Sequence, residues 1–343
     1  MVKKVSVLDG SSVYQKIPGN AGSLTVDGKS VDDSVHGQNF KSELVTIKSW
    51  GIDTPAFYKG IPGYKAKIKK GGTPTTLTDE ATTLVSGKTY KITDTAKQLL
   101  DIATAVVIKD NAVTVDADDI LDINYLWGRV TFVSGYSVVG AVTISGKYVP
   151  LATLGFGKNI ALSMTCNIRS IAEFDNTQAS SGFENRAAGL NSVGLTIDGI
   201  YSDSNSFWLD IAETTVVLEV DPGGDGLSKA RGFFRLMSNS RSGNVGDNED
   251  EKLVYTLSVP NEELLKYPFG WIHESTSTLD ASIQLCLNNW ESGSQTTVKY
   301  ESQTSGIGVY GASIIEDISL ATDVEGQTEF SIKFAGTDNL LEL

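Results

Sequence analysis

Two stretches of this sequence, VDDSVHGQNF at residues 31–40 and FDNTQASSGF at residues 174–183, repeat one pattern. An apolar residue is followed by an aspartate, by short polar and hydroxyl residues, and after them by a phenylalanine. An ungapped alignment at an offset of 143 positions continues for 28 residues. Self-similarity of this kind indicates a repeated structural unit. The positions that carry the alignment are Asp32 and Asp175, Phe40 and Phe183, and Tyr58 and Tyr201.

A second alignment lies further along the chain. The segment 215–240 aligns with 296–321 when a gap is allowed in the loop, and this places Gly232 on Gly311. One copy of the pattern is therefore continuous over 174–258, whereas the other is divided between 31–58 and 277–334. Nesting is the simplest account, because chain ends that lie close together tolerate insertions. Chance alignment of Gly-rich β sequences is the alternative.

The sequence predicts an all-β protein. The 34 glycines and many short runs of alternating apolar and polar residues are typical of a β-sandwich or barrel. Helices are predicted only in short segments, at TDTAKQLLDIA from Thr93 and over 277–293, where Ser277 is a capping residue and Gly293 ends the helix. We predict a loop from KKGGTPTTLTDE, residues 69–80.

These observations predict two related β-sandwich or barrel modules, each with a flanking short helix, plus an inserted small β-rich segment. The outer module is discontinuous and comprises residues 1–58 and 265–343. The inserted segment covers 59–125 and has a short helix and a hairpin. The inner module covers 126–264.

Composition excludes several function classes. With 28 basic and 42 acidic residues the formal charge is −14, the wrong sign for a protein that binds nucleic acid through its phosphates. No run of 18 apolar residues and no signal-peptide core is present, so we expect no membrane contact and synthesis in the host cytoplasm. Cys166 and Cys286 lack C-x-x-C spacing and are predicted to be buried thiols, with a single disulfide as the alternative.

No catalytic constellation is found. The two histidines, His36 and His273, have no nucleophile at a recognisable spacing and are expected to be ordinary surface or edge residues. Glu316 and Asp317 are adjacent on a predicted strand, so their side chains should point to opposite faces and cannot act as an acid/base pair.

Acidic clusters are weak candidates for metal binding. The stretch VDADDILDIN groups four aspartates but lacks the glycine and the distal glutamate of a calcium-binding loop, so a solvated strand end is favoured. DPGGDG at 221–226 is predicted to be a turn. We therefore expect no enzyme activity, no metal site and no cofactor. The four aspartates are Asp116, Asp118, Asp119 and Asp122.

Several of these stretches together resemble the major tail tube proteins of long-tailed bacteriophages, in a duplicated-module form. They are GLNSVGLTIDGIY, a short helix, a G-x-x-x-x-x-S-x-S pattern and the closing YGASIIEDISLATDVEGQTEFSIKFAG. INYLWGRVTFVSGYSVVGAVTISGKYVPL is similar to segments of tail structural proteins. The resemblance covers about residues 31–58 and 125–338. The region 59–125 departs from the family pattern and is either an outer decoration or a sign against the assignment.

The resemblance implies a virion protein of the tail that acts without chemistry of its own. Its partners would be further copies of itself, in rings that stack into a hollow tube, together with other tail proteins. A duplicated module implies three chains per ring with pseudo-sixfold symmetry. DNA would pass through without specific binding, and an acidic wall would repel its phosphates.

An acidic loop, GNVGDNEDEK, would face the lumen or the next ring in this interpretation, and would otherwise be an ordinary surface loop. Its acidic residues are Asp247, Glu249, Asp250 and Glu251. Two other functions remain open. One is another virion part, such as a capsid decoration or a tail terminator; the other is a carbohydrate-binding adhesin, for which the 5 Trp and 12 Tyr are weak support.

Overall fold

The structure of the chain is a computed structural model. Strands dominate the part of the chain that it describes, so the predicted all-β class is confirmed. The described residues are 4–9, 12–17, 22–32, 43–62, 66–154, 159–170, 186–199, 215–242, 250–258, 266–273, 280–301, 307–323 and 327–343.

The described elements fall into four groups along the chain. The first comprises β1 (Lys4–Leu8), β2 (Tyr14–Lys16), β3 (Ser23–Asp32), β4 (Glu43–Pro62) and β5 (Lys67–Gly71). The second comprises β6 (Thr75–Ser86), β7 (Thr89–Ile92), β8 (Val107–Asp110), β9 (Val113–Thr114), β10 (Ile120–Asn124), β11 (Arg129–Phe132) and β12 (Val142–Tyr148). The third comprises β13 (Leu151–Thr153), β14 (Asn159–Ser170), β15 (Arg186–Asp198), β16 (Thr215–Asp221), β17 (Ser228–Ser242), β18 (Asp250–Leu257) and β19 (Phe269–His273). The last comprises helix α1 (Ala281–Ser292), β20 (Thr296–Glu301), β21 (Gly308–Asp323), β22 (Gln327–Gly336) and β23 (Leu341–Glu342).

One pairing scheme occurs twice in the large sheet. Strands β2, β1, β20, β21, β22, β4 and β3 are neighbours in that order, and β23 also pairs with β21. Strands β13, β5, β16, β17, β18, β15 and β14 are neighbours in the corresponding order, and β19 also pairs with β17. We call the first set the outer module and the second set the inner module. In both modules the eight strands follow one another along the chain in the same sequence.

The registers of the two modules also correspond. Gly232 of β17 lies opposite Leu218, and Gly311 of β21 lies opposite Val298. The strand pairing thus places these two glycines at equivalent positions, as the sequence alignment does.

The offset of 143 positions reappears in the pairing of β4 and β15. Gly51 lies opposite Ala335, and Gly194 lies opposite Thr256. The next residue in each strand, Ile52 and Leu195 respectively, is fully buried.

A β-bulge marks the same point in both modules. The register of β17 with β18 shifts between Leu236 and Ser238, and the register of β21 with β22 shifts between Ile315 and Asp317. A bulge inserts one unpaired residue and bends the strand. Because both bulges lie five residues beyond the equivalent glycines, the backbone irregularity is a shared feature of the module.

The second sheet has seven strands, in the order β10-β11-β7-β6-β12-β8-β9. In the sequence these strands fall between β5 and β13, which pair with each other in the inner module. It encloses a core of its own, in which Ile92, Ile108 and Phe132 are buried. We call residues 75–148 the inserted domain. The sequence-based division ended the inserted segment at residue 125, but β11 and β12 lie beyond that point. The same division began the inserted segment at 59 and the final outer part at 265, whereas β5 and β19 pair with inner strands.

The boundary was misplaced because alternating patterns identify strands without indicating which sheet they join. The stretch INYLWGRVTFVSGYSVVGAVTISGKYVPL was assigned to the inner module from residue 126 onward, but most of it lies in the inserted domain, where it contributes to β10 and contains β11 and β12.

Two local predictions in the inserted domain were wrong. Residues 75–80, part of the predicted loop, belong to β6, in which Leu77 is buried and the polar residues around it are mostly exposed. The sequence therefore shows no apolar alternation. The helix predicted from Thr93 is reduced to one 3-10 turn, Thr95–Lys97, because the following backbone bonds to other segments: Leu100 N donates to Tyr125 O at 2.8 Å.

Helix α1 lies within the predicted range 277–293. Its N-cap is Asp280, whose carboxylate accepts a hydrogen bond from Ser282 N at 3.1 Å, rather than Ser277, which lies outside the described residues. Gly293 ends the helix in the left-handed conformation, at a φ of 66°. The buried side of α1 includes Cys286, and both cysteines are buried free thiols as predicted.

An ion pair and an apolar cluster fix the inserted domain to the inner module. Arg231 of β17 is 1% exposed, and its guanidinium donates to Glu219 and to the Leu126 carbonyl. The guanidinium carbon also lies 4.4 Å from the centre of the Trp127 ring. The accompanying buried side chains are Leu99, Leu126, Trp127, Phe233 and Ile272.

Two cations hold the Glu219 carboxylate in this contact. Lys69 Nζ donates to the second Glu219 oxygen at 2.7 Å. Burial disfavours the ionised form of Glu219, but the surrounding cations, with Arg231 the strongest, outweigh that cost and keep the pKa of its carboxyl below the ordinary value. The two buried charges, Glu219 and Arg231, each therefore depend on the other to offset the cost of burial.

We expect Arg231→Met to lower the free energy of unfolding by about 3–5 kcal/mol, because it leaves the Glu219 carboxylate buried without its main partner. Urea titration followed by tryptophan fluorescence measures this change. The matched control is Arg235→Met on the exposed part of the same strand, which should change stability by less than about 0.5 kcal/mol. Equal effects of the two substitutions would contradict the structural role of Arg231.

A second substitution tests the packing behind the equivalent glycines. A Cβ atom at Gly311 would lie 2.5 Å from Trp50 Cζ2, and this indole is 3% exposed. We expect Gly311→Ala to cost about 1–3 kcal/mol of unfolding free energy through overpacking, as measured by urea titration. Gly135→Ala is the control, since no neighbouring atom lies within 4 Å of its Cβ position, and it should be nearly neutral. An unchanged stability for Gly311→Ala would show that Trp50 moves aside freely.

Candidate functional site

Eight strands of the two modules form one continuous sheet, which we call the joint sheet. Their order is β3-β4-β22-β21-β14-β15-β18-β17. The outer module contributes the first four strands and the inner module the last four. The connection is the β21–β14 ladder, in which residues pair from Asn159 with Asp323 to Thr165 with Asp317.

One face of the joint sheet is the main apolar core. Along β14 the burial alternates strictly, so that Ile160, Leu162 and Met164 are buried and the residues between them are exposed. In β22, Phe330, Ile332 and Phe334 are buried in the same manner. This alternation is typical of a sheet that has one face in the core and one face in solvent.

The opposite face carries mainly small polar side chains. Ser331, Ser319 and Ser163 lie directly opposite one another on three adjacent strands. The row continues through Gly194 to Thr256. Because paired residues on adjacent strands lie side by side, this row makes a flat strip of small side chains across the joint sheet. Such a surface presents hydroxyl groups without long side chains.

A neighbouring row carries one lysine among three carboxylates. Lys333 lies opposite Asp53 on one side and Asp317 on the other, and its Nζ is 3.0 Å from Glu316 Oε2. Burial, with Glu316 and Asp53 adding to it and Lys333 opposing it, raises the pKa of the Asp317 carboxyl. A second pair, Asp198 with Lys252, lies on the inner half at 4.0 Å.

Glu316 corrects a prediction. Alternation along a regular strand would point Glu316 and Asp317 to opposite faces, but Glu316 is the unpaired residue of the β21 bulge. Both carboxylates therefore interact with Lys333. The bulge could not be detected from the sequence, because nothing in IIEDIS distinguishes a bulged strand from a regular one.

The joint sheet ends in two different edges. β3 pairs with β4 along one side, and β17 pairs with β18 over its C-terminal part. Within the described residues no strand pairs with the second side of β3 or with the second side of β17 beyond its bulge. Unpaired strand edges present N–H and C=O groups that can continue a sheet into another chain.

The sequence-predicted positions lie in several places. Asp32 is the last residue of β3, Tyr58 lies in β4, and Asp250 and Glu251 begin β18 opposite Ser242 and Arg241. Gly232 and Gly311 occupy equivalent positions, as described above. The remaining positions lie outside the described residues: Phe40, Asp175, Phe183, Tyr201, Asp247 and Glu249.

The acidic stretches form local structure. Asp116 caps the 3-10 turn Ala117–Asp119 and accepts from Asp118 N at 3.2 Å. Asp221, at the start of DPGGDG, accepts from Gly224 N and Gly226 N, each at 2.8 Å, so the stretch is the predicted turn. Among the described residues no group of three His, Cys, Asp or Glu side chains is arranged to hold a metal ion.

The remaining histidine prediction concerns His273. It lies at the end of β19, half-buried, and its Nδ1 is 2.9 Å from Ser228 Oγ. Burial lowers the pKa of His273 to about 4. Ser228 is fully buried and therefore closed to a substrate. His36 lies outside the described residues.

In the described part of the chain, no helix is both long enough and apolar enough to cross a membrane. No protein family profile matches the sequence, and no curated protein matches it. Among solved structures, the chain is similar to a chain of a particle described as "Virion of native gene transfer agent (GTA) particle", with 12% identity and a TM-score of 0.27. The match covers 32% of this chain and 85% of that chain.

Proposed function

We propose that this chain is a structural virion protein whose copies join side by side into rings, and that the rings stack into a hollow tail tube that conducts DNA. The observation that carries the proposal is the joint sheet, in which two modules of one pairing scheme already stand side by side in one chain. The resemblance to major tail tube proteins points in the same direction. No chemical step is assigned to the protein.

The composition of the exposed face suits a conduit. Ser331, Ser319 and Ser163 make a row of small polar side chains, and the charged row beside it is mainly acidic. A net charge of −14 opposes the accumulation of phosphates on the protein. DNA would therefore slide along this face without being retained.

The stoichiometry follows from the module count. A ring of three chains would contain six modules, each related to the next by nearly the same operation. The β21–β14 ladder joins the two modules inside one chain, and a similar ladder would join modules of neighbouring chains. Contacts between two different surfaces form closed rings when the rotation closes, so the two unlike edges of the joint sheet meet the geometric requirement.

Electron microscopy of the concentrated, purified protein tests the assembly. We expect rings, and stacks of rings, whose mass corresponds to three chains per ring. Single unstacked rings would favour a tail terminator, and a strictly monomeric protein at every concentration would contradict the proposal.

A set of substitutions tests which face lines the channel. We expect Ser163→Lys, Ser319→Lys and Ser331→Lys, combined in one chain, to make the assembled protein retain a short DNA duplex, with binding that weakens steeply as salt rises. The unmodified assembly should show no retention. A fluorescence anisotropy titration measures both.

The matched control adds the same three charges to exposed residues of the inserted domain, as Val113→Lys, Leu121→Lys and Val139→Lys. If this variant retains DNA as strongly as the first, the joint sheet is not the face that meets DNA.

A further inference from the structure

We propose that β3 of one copy pairs antiparallel with β17 of a second copy, in a register that sets Thr25 opposite Ser240. This inference rests on the proposed function and specifies the contact through which its rings would form. It assigns a partner, a second copy of this chain, to each of the two unpaired edges of the joint sheet.

The template for this contact lies inside the chain. β14 of the inner module pairs with β21 of the outer module over seven residue pairs, and Ser163 lies opposite Ser319 near the centre of that ladder. β14 is equivalent to β3, and β21 is equivalent to β17. Exchanging each strand for its equivalent turns the internal ladder into a ladder between β3 and β17. Within one chain these two strands lie at opposite ends of the joint sheet, so the contact requires two copies.

The register follows from residues whose equivalence is already fixed. Leu162 lies opposite Leu195 as Leu24 lies opposite Ile52, so Leu24 corresponds to Leu162. Thr25 therefore corresponds to Ser163.

On the other strand the two bulges provide the reference. Asp317 follows the bulge of β21, and Ser238 follows the bulge of β17. Ser240 therefore corresponds to Ser319. The pairs expected across the contact are Ser23 with Ser242, Thr25 with Ser240, and Asp27 with Ser238.

The side chains on the exposed face suit this pairing. The internal ladder places Ala161 opposite Ala321 and Ser163 opposite Ser319. The proposed ladder places Thr25 opposite Ser240, which are likewise small and hydroxylated. Such residues at these positions keep the flat strip of small side chains continuous from one copy to the next.

One exposed apolar side chain supports the contact independently. Val26 is 49% exposed, whereas Met164, at the equivalent position in the inner module, is 0% exposed. Met164 is covered partly because β21 lies beside it, opposite Ile318. A strand placed against β3 in the proposed register would also cover Val26, although with the polar Asn239 opposite it in place of the isoleucine. The two edges are unlike, so each copy offers one of them to each neighbour and the assembly can close.

Disulfide trapping tests the register. Thr25→Cys and Ser240→Cys in one chain would bring two thiols opposite each other only between copies, within the Cα separation of about 4.4–6.8 Å that a disulfide needs. We expect mild oxidation to give covalent dimers and trimers on a non-reducing gel. Cys166 and Cys286 are buried and remain in place. The matched control is Ser23→Cys with Ser240→Cys, two residues out of register, which should crosslink at least tenfold less.

Single-cysteine proteins test which edges meet. Mixing Thr25→Cys protein with Ser240→Cys protein should give dimers only, whereas each alone should give none. Self-crosslinking of Thr25→Cys would overturn the proposal, because it would show two β3 edges in contact.

The outcome separates this inference from the proposed function. Rings in the microscope without the Thr25–Ser240 crosslink would overturn the register and leave the ring intact. Crosslinked open chains without rings would support the register and overturn the tube.

Discussion

The β14–β21 ladder is the interaction on which the organisation of the molecule depends. Backbone hydrogen bonds between these strands convert two separate modules into one sheet with a shared core face. Ile160, Leu162 and Met164 of the inner module then lie in the same buried cluster as Ile318 and Leu320 of the outer module. Separating the two modules would uncover Met164 and Ile318, which lie opposite each other in this ladder.

The nesting of the chain is compatible with this sheet because the interruption falls between β4 and β20. β4 pairs with β22 and β20 pairs with β21, so these two strands do not pair with each other. The outer module can therefore be completed after the chain has formed the inner module. The inner module is itself interrupted, between β5 and β13, by the inserted domain. Each insertion thus enters at a connection between strands and leaves the ladders of its host intact.

Much of this architecture could be predicted from the sequence. Alternation predicted most long strands of the modules. The alignment at an offset of 143 positions also places Gly51 on Gly194, and these two glycines pair at equivalent positions of the two modules. The spacing of the two cysteines and the apolar residues around them also predicted buried free thiols. These features depend on local patterns, or on residues that must stay small or apolar in both copies.

The rest depended on tertiary context. β6 has too few buried residues to show alternation. The apolar spacing around Leu99 and Leu100 resembles that of a helix, but the backbone of these residues bonds to segments far along the chain, which the local pattern cannot indicate. The bulge that turns Glu316 toward Lys333 has no signature in the sequence. The exposed row of serines was not recognised as a surface, because its members come from strands that are distant in sequence and meet only in the joint sheet.

The inserted domain occurs in the inner module alone, and this asymmetry has a consequence for any assembly of three chains. Seen from the channel, six nearly equal sheet segments would surround the axis. In the ring proposed above, the inserted domain would occur on every second module only. Proteins docking on the exterior would meet threefold order, whereas whatever travels inside would experience an almost sixfold wall, so one polypeptide would present two different symmetries to its two sets of contacts.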